Sequence, residues 1–309
     1  MKSIVCIGEL LIDFIGSSAG KKIANQTSFM MKPGGAPGNV ACTIGALGGD
    51  CSLLSSVGND GFGEFLRNTV ESYCVDTTLM QRSHKATTLA FVSVEDNGDR
   101  DFNFIRGADA DLELNEKDLG TYDIFHFGAA TAFLEGALNK TYHQVLDMAE
   151  RQSKFIVFDP NYRSAFWTEN QNKFVKVIEP FMKSAHLIKL SDEEALIVTG
   201  ENTLERAIES LKQKYKGLFA ITLGGEGARL FNRTYDLHVP TKKVAVVDTT
   251  GAGDAFIGSM IYELSKLESI FEMIHNPDKI REIAIKANEI AADVCTAYGA
   301  LTALKKKSN

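Results

Sequence analysis

DTTGAGDAFIGS, residues 248–259, is the stretch on which the reading of this chain turns. It follows the apolar run Val244 to Val247, gathers Gly251, Ala252 and Gly253, and then sets Asp254 at the mouth of what reads as a helix. A glycine-rich turn between a strand and a helix ordinarily holds phosphate, because the first helical amides lack partners and the dipole favours an anion there. A carboxylate at that place needs its own explanation. Held by the dipole, it is expected to stay ionised at neutral pH and to take the proton of a substrate hydroxyl. The amides around Gly251, Ala252 and Gly253 would then receive the charge of a transferring phosphoryl group, a reaction that asks a protein mainly for positioning and electrostatics. Taken alone, Asp254 also reads as a helix cap.

Other phosphate motifs fit less well. The nearest approach to a Walker loop, GSSAGKK (Gly16 to Lys22), has one residue too few between its glycines and Lys22 in place of the hydroxyl. A dinucleotide fingerprint belongs at the first strand with an acid about twenty residues later, whereas Gly251-Ala252-Gly253 comes late and its acid follows at once.

Composition bounds the setting. The 309 residues are 44% hydrophobic and 24% charged, which is ordinary for a globular chain with one large core and a small appendage. A net charge of −7 argues against a broad nucleic-acid surface, and Lys305 to Lys307 read as a solvated tail. The five cysteines, Cys6, Cys42, Cys51, Cys74 and Cys295, include no C-x-x-C pair, so a reducing cytoplasm is expected. Glu9 and Asp13 interrupt IVCIGELLIDFIG, which excludes a signal h-region, and no apolar run reaches the length of a membrane span.

SIVCIG, FIVFDP, HLIKLS, GLFAITLG and VAVVD are short apolar runs without clean alternation, the mark of strands buried on both faces. Helical patterns such as NKTYHQVLDMAERQS and NTLERAIESLKQKYK lie between them, which predicts a mainly parallel sheet covered on both sides. Ligands bind such sheets beyond the carboxyl ends of the strands. Thr87 to Gly107 reads instead as a hairpin turning at Asn97-Gly98, and with LLIDFIG and TSFMMKPGG it is expected to form a small separate sheet over the pocket. His126 reads as a satisfied strand-end residue, and Trp167 has no assignment.

GGAPGNVACTIGALGG (Gly34 to Gly49) and DTTGAGDAFIGS resemble the N-terminal and C-terminal signatures of the pfkB, or ribokinase-like, family of sugar kinases. ITLGGEGARLF resembles the nucleotide-site stretch between them, and the order and spacing match over nearly the whole chain. The resemblance implies one α/β domain over residues 1–309, a three-layer αβα core with a mainly parallel sheet, and a small β-sheet lid from about residues 11–33 and 87–107. It also implies transfer of the γ-phosphate of ATP to a sugar hydroxyl with Mg²⁺, with Asp254 as base and Gly251, Ala252 and Gly253 as anion hole.

Carried over by position, Asp13, the backbone of Gly34 and Gly35, and Asn39 would hold sugar hydroxyls. Phe104 and Arg106 would close from the lid, and Asn161 and Arg163 of DPNYR would reach the sugar or nucleotide, with Asp159 as a structural or Mg²⁺-water partner. KLSDEE resembles the family's N-x-x-E element, with Lys189 and Ser191 on the nucleotide side and Glu194 acting through Mg²⁺-bound water. Ser191 stands where Asn is commonest, and Glu193 is one residue from the same assignment. Thr222, Gly224, Gly227 and Asn288 match the nucleotide pocket, and Asp248, Thr250 and Gly299 are the candidates around a monovalent cation such as K⁺. Within the family the signatures look most like those of fructokinases, which implies 6-phosphorylation of D-fructose, and kinases of 2-keto-3-deoxygluconate are the nearest rivals. A homodimer through the lid is the family's expectation, and neither nucleic acid nor membrane is expected as a partner.

Overall fold

The structure is a computed structural model, and it describes residues 1–18, 20–94, 100–114 and 119–304. Its strands are β1 (Ile4–Ile7), β2 (Leu11–Gly16), β3 (Phe29–Gly34), β4 (Cys51–Leu54), β5 (Ser56–Gly58), β6 (Gln81–Ser83) and β7 (Leu89–Val94). They continue with β8 (Arg100–Ile105), β9 (Ile124–Phe127), β10 (Phe155–Phe158), β11 (Leu187–Ser191), β12 (Leu218–Thr222), β13 (Ala228–Phe231) and β14 (Asp236–Val239). Eight of them form one sheet in the order β14-β13-β12-β11-β10-β9-β1-β4. Its neighbours run parallel from β12 to β4, and only β13 and β14 are antiparallel to what they pair with.

Successive residues of a strand point to opposite faces, and β1 shows what that does here. Ile4 and Cys6 enter one apolar cluster with Val40, Phe256, Ile257, Ile280 and Ile283. Val5 and Ile7 enter the other, with Tyr142, Val145, Phe174, Phe181 and Leu211. Both faces are therefore covered by helices, which is why these strands are apolar at every position. The sequence-derived strands at SIVCIG, FIVFDP, HLIKLS and GLFAITLG are β1, β10, β11 and β12, and the two named helical patterns become helices Ala137–Arg151 and Leu204–Lys214.

VAVVD is not a strand. Val246 and Val247 are exposed, and the Val247 amide donates to the Cys295 carbonyl in an irregular segment. The run has β-branched residues but no neighbouring strand to pair with, so its apolarity carries no ladder.

A second sheet, in the order β3-β2-β7-β8, stands apart from the first and is built from the LLIDFIG, TSFMMKPGG and hairpin stretches. The Asn97-Gly98 turn and Lys305 to Lys307 lie outside the described residues. Asp13 pairs with Lys32 and Ala90, and Ala90 with Phe104, so these four side chains share one face. Phe14 and Phe91 stack on the other face, where Phe14 meets Phe62 of helix Gly61–Glu71. Among the described residues, no helix is long and apolar enough to cross a membrane.

Candidate active site

Two helices bring the site together. Helix Ala36–Ala46 starts after Gly35, and helix Ala252–Ser265 starts after Gly251, whose φ is +80°. A Cβ on Gly251 would lie 2.2 Å from that of Ala300, so both its conformation and its surroundings demand glycine. The helices cross where Gly258 faces Thr43 and the Val40 carbonyl. That close approach lets the Asn39 side-chain amide donate to Asp254 Oδ2 at 2.8 Å.

Burial pushes the Asp254 carboxyl above its ordinary value, and the Asn39 bond, Lys189 and Arg163 oppose that shift. Expected to be held low by the helix dipole alone, Asp254 is thus a stronger base than a solvated aspartate, steadied by a donor and two cations. Asp13 reaches the same space from β2. Burial raises it to about 6, with Arg163 lowering it and Asp254 raising it further. Its Oδ2 lies 2.1 Å from where a Cβ on Gly34 would be, so a side chain there would displace it. Arg163 is exposed and bonds the Tyr162 carbonyl through Nη1.

A row of polar groups follows the carboxyl ends of β9 to β12. Lys189 Nζ sits 3.0 Å from Asp159 Oδ2, and both residues are buried. It also lies 3.2 Å from where a Cβ on Gly253 would be, so the ammonium is against the first turn of the Asp254 helix. Burial alone would lower the Lys189 pKa, but Asp159, Glu194 and Asp254 together outweigh it and hold the side chain charged. Burial raises Asp159 to about 6, with Lys189 pulling the other way. Asn161 has a φ of +48°, donates from its backbone to Asp159 and bonds the Gly128 carbonyl at 2.8 Å through its side chain.

Glu194 is buried while Glu193 is exposed, which separates the two adjacent acids. Glu194 accepts the Tyr162 amide on one oxygen and the Ser191 amide on the other, each at 2.7 Å, and Ser191 Oγ accepts the Glu194 amide in return. Ser191, in the place where Asn is usual, therefore closes a capping box on helix Asp192–Thr199. Asp159 and Glu194 each keep a lone pair able to accept from a metal-bound water. Among the described residues no three His, Cys, Asp or Glu side chains form a metal cage. That donor set fits Mg²⁺ carried on phosphate oxygens with most of its water retained.

Ser191 is in register with Thr222, so the nucleotide candidates continue the row onto β12 and the turn that holds Gly224 and Gly227. Asn288 is buried, and its side-chain amide donates to the Val239 and Pro240 carbonyls, pinning the end of β14. Asp248, Thr250 and Gly299 come together, with the Thr250 amide and hydroxyl on Asp248 Oδ1 and the Gly299 amide on Oδ2. The contacts among these three run through N–H and O–H donors.

On the small sheet, Phe104 lies beside Phe102 and edge-on to Phe166, 4.9 Å between centroids. Arg106 pairs with Asp109 and bonds the Thr131 and Glu135 carbonyls, so its donors hold the boundary of that sheet. His126 departs from expectation. It is fully buried on β9 and neither ring nitrogen has a partner, so it is not satisfied; burial and then Lys189 push it down to about 3. Sequence reasoning also passed over Glu9, which appeared only as a charge interrupting an apolar run. Its buried carboxylate accepts from Ala130 and Thr131, a long-range contact that leaves no local pattern.

Comparison with known proteins bears on the family and the fold. A family model described as pfkB family carbohydrate kinase matches residues 1–307. Fructokinase-2 of Zea mays is 36% identical, with 97% of this chain and 90% of that protein covered. The structure of fructokinase from Xylella fastidiosa with bound ATP superposes with a TM-score of 0.87 at 27% identity, covering 98% of this chain and 94% of that one. Fructokinase from Vibrio cholerae, with fructose, ADP and calcium bound, gives 0.86 at 28% identity, covering 98% and 96%.

Proposed function

The chain belongs to the pfkB family of carbohydrate kinases, and on that premise we propose that it transfers the γ-phosphoryl group of ATP to the 6-hydroxyl of D-fructose. The observation that carries the reading is Asp254, bonded by Asn39, at the end of a glycine turn with the Lys189 ammonium against it. In this reading Asp254 takes the hydroxyl proton as the oxygen attacks phosphorus, and Gly251, Ala252 and Gly253 receive the charge on the phosphoryl oxygens. Asp13, Asn39, Asn161, Arg163 and the Gly34–Gly35 backbone hold the sugar. Lys189, Ser191, Thr222, Gly224 and Gly227 face the nucleotide, and Asn288 shapes its pocket through β14. Mg²⁺ would neutralise phosphate charge, with its water met by Asp159 and Glu194. K⁺ beside Asp248, Thr250 and Gly299 is the second ion proposed.

Relatives and neighbours named as fructokinases favour fructose. A further physical reason is that Arg106, the lid arginine expected to meet a carboxylated sugar, is already bonded to Asp109 and to the Thr131 and Glu135 carbonyls. We take the small sheet, about residues 11–33 and 87–107, as the lid. A second copy meeting its Asp13 face at β3 would cover the exposed Met30. All five cysteines are thiols, which fits a reducing cytoplasm.

The test is ADP release with MgATP over fructose, 2-keto-3-deoxygluconate, ribose and adenosine, with light scattering for the dimer. Fructose is expected to give the highest kcat/KM. A higher value for ketodeoxygluconate overturns the substrate, and no turnover on any acceptor overturns the activity.

A further inference from the structure

Four successive residues after β9 are each tied to another part of the molecule. The Gly128 carbonyl accepts the Asn161 side chain at 2.8 Å. The Ala129 amide donates to the Tyr142 hydroxyl, also at 2.8 Å. The Ala130 amide and the Thr131 amide and hydroxyl all point at the Glu9 carboxylate, at 3.2, 3.4 and 3.1 Å. Thr131 is held from its other side as well, because its carbonyl accepts Arg106 Nη2 at 3.1 Å.

Glu9 lies where the chain crosses from β1 of the large sheet to β2 of the small one, and it is 2% exposed. The backbone there leaves no slack. A Cβ on Gly8 would lie 2.3 Å from that of Ala129, and one on Gly35 would lie 2.4 Å from the Glu9 carbonyl. Glu9 is thus wedged between two stretches that face the proposed sugar, Gly34–Gly35 on one side and the loop bearing Gly128 on the other.

We infer that Glu9 is a positioning residue for the sugar site: its carboxylate holds Ala130 and Thr131 where Gly128 orients Asn161. The inference rests on the reading of Asn161 as a sugar contact. Every group bonded to the Glu9 side chain is a donor, so the ionised carboxylate is the form that holds the loop. The charged and titratable groups set against it are Asp109, which follows β8, the Arg106 paired with Asp109, and the Tyr142 phenol. Burial first, and then the Asp109 charge, raise Glu9 to about 7, while the Thr131 and Ala130 amides pull it down. The loop is therefore firmly held above neutrality and loosened below it.

The experiment follows KM for the sugar against pH, from about 5.5 to 8.5, in the wild-type protein and in Glu9→Gln. Wild-type KM is expected to rise roughly tenfold as pH falls through about 7, with kcat changing less, as befits loss of one charge-assisted contact. Glu9→Gln should show the high KM at every pH, with that limb gone. A limb from Asp13, centred near 6, would persist in the variant and so be told apart. Thr131→Val, which deletes only the hydroxyl donor, should raise KM about threefold. A wild-type KM flat through pH 7, or a limb centred near pH 7 retained in Glu9→Gln, overturns the inference. A second readout needs no turnover: hydrogen exchange at the Thr131 amide, corrected for its intrinsic rate, should gain protection as pH rises through 7 in the wild type and not in the variant. If no sugar is phosphorylated, the kinase reading fails and this exchange measurement still decides the role of Glu9.

Discussion

Asp254 and Asp13 share one cation, Arg163, which lowers the pKa of both while burial raises them. An Asp254→Asn variant keeps the shape and the Asn39 neighbour but removes the proton acceptor. It should lose about 10²–10⁴-fold in kcat while its Tm stays near the wild-type value, as read by coupled assay and thermal melt. A Tm collapse with the activity loss would mark Asp254 as structural instead. His126 offers a separate test on stability. Buried and unpartnered, it stays neutral in the folded protein down to about 3, whereas in the unfolded chain it protonates near 6.5. The unfolded state therefore binds the extra proton, and this residue's contribution is present above pH 6.5 and is lost as pH falls toward 3. The whole span is worth roughly 4–5 kcal/mol as an upper figure. His126→Leu should be neutral or stabilising by about 1–2 kcal/mol at pH 7, because it removes an unsatisfied buried donor. Denaturant melts from neutral to acid pH should show a flatter acid-side loss than wild type, and an unchanged slope would contradict this account. Asp13, Asp159 and Glu9 act with the opposite sign, losing stability as pH rises, so the difference between variant and wild type is the quantity to compare.

Between elements, the decisive contact is the crossing of helices Ala36–Ala46 and Ala252–Ser265. Gly258→Ala would place a Cβ 2.9 Å from Thr43 Cβ and 3.1 Å from the Val40 carbonyl. Alanine gains about 1 kcal/mol over glycine in a helix interior, but overpacking a close crossing costs about 1–3 kcal/mol. The clash should prevail, with a net loss of up to about 2 kcal/mol in denaturant melts and a fall in kcat as Asn39 is drawn away from Asp254. A stabilised, fully active Gly258→Ala would show that the helices can move apart freely. This contact was half legible in the sequence. Residues 248–259 identified one helix start, because glycine and capping chemistry are local, whereas Gly34 to Gly49 was known only as a signature, and nothing in either stretch said that two helices cross. VAVVD misled for a related reason. β-branched composition reports that a segment can pair, and whether it does depends on a neighbour supplied from elsewhere in the chain.

At the scale of the whole molecule, the two larger sheets are joined by short crossings, and the proposed sugar lies where they meet. The large sheet was readable because strands covered on both faces are apolar throughout, and its carboxyl-end row followed from that. The ties across the boundary were not. Glu9 to Thr131 and Arg106 to Thr131 span residues far apart in sequence, and a buried glutamate and an exposed one look alike in one dimension. Those ties bear on how the sheets respond to substrate. The face shared by Asp13, Ala90 and Phe104 belongs wholly to the small sheet, while Lys189 belongs to the large one and Asp254 to a helix packed on it, so the sugar must bridge the two. Binding sugar with a nucleotide should therefore slow amide exchange in Leu11–Gly16 and Leu89–Val94, and leave strands Ile4–Ile7 and Phe155–Phe158 unchanged, since those are already fully buried between the two layers of helices. Asp13→Asn should abolish most of that protection and raise KM for the sugar by about tenfold or more, because a charge-assisted bond to a hydroxyl is lost at the bridge itself. Exchange mass spectrometry with and without sugar checks it. Equal slowing in both sheets would mean that the whole molecule tightens as one body, and no change in the small sheet would remove its role as a lid.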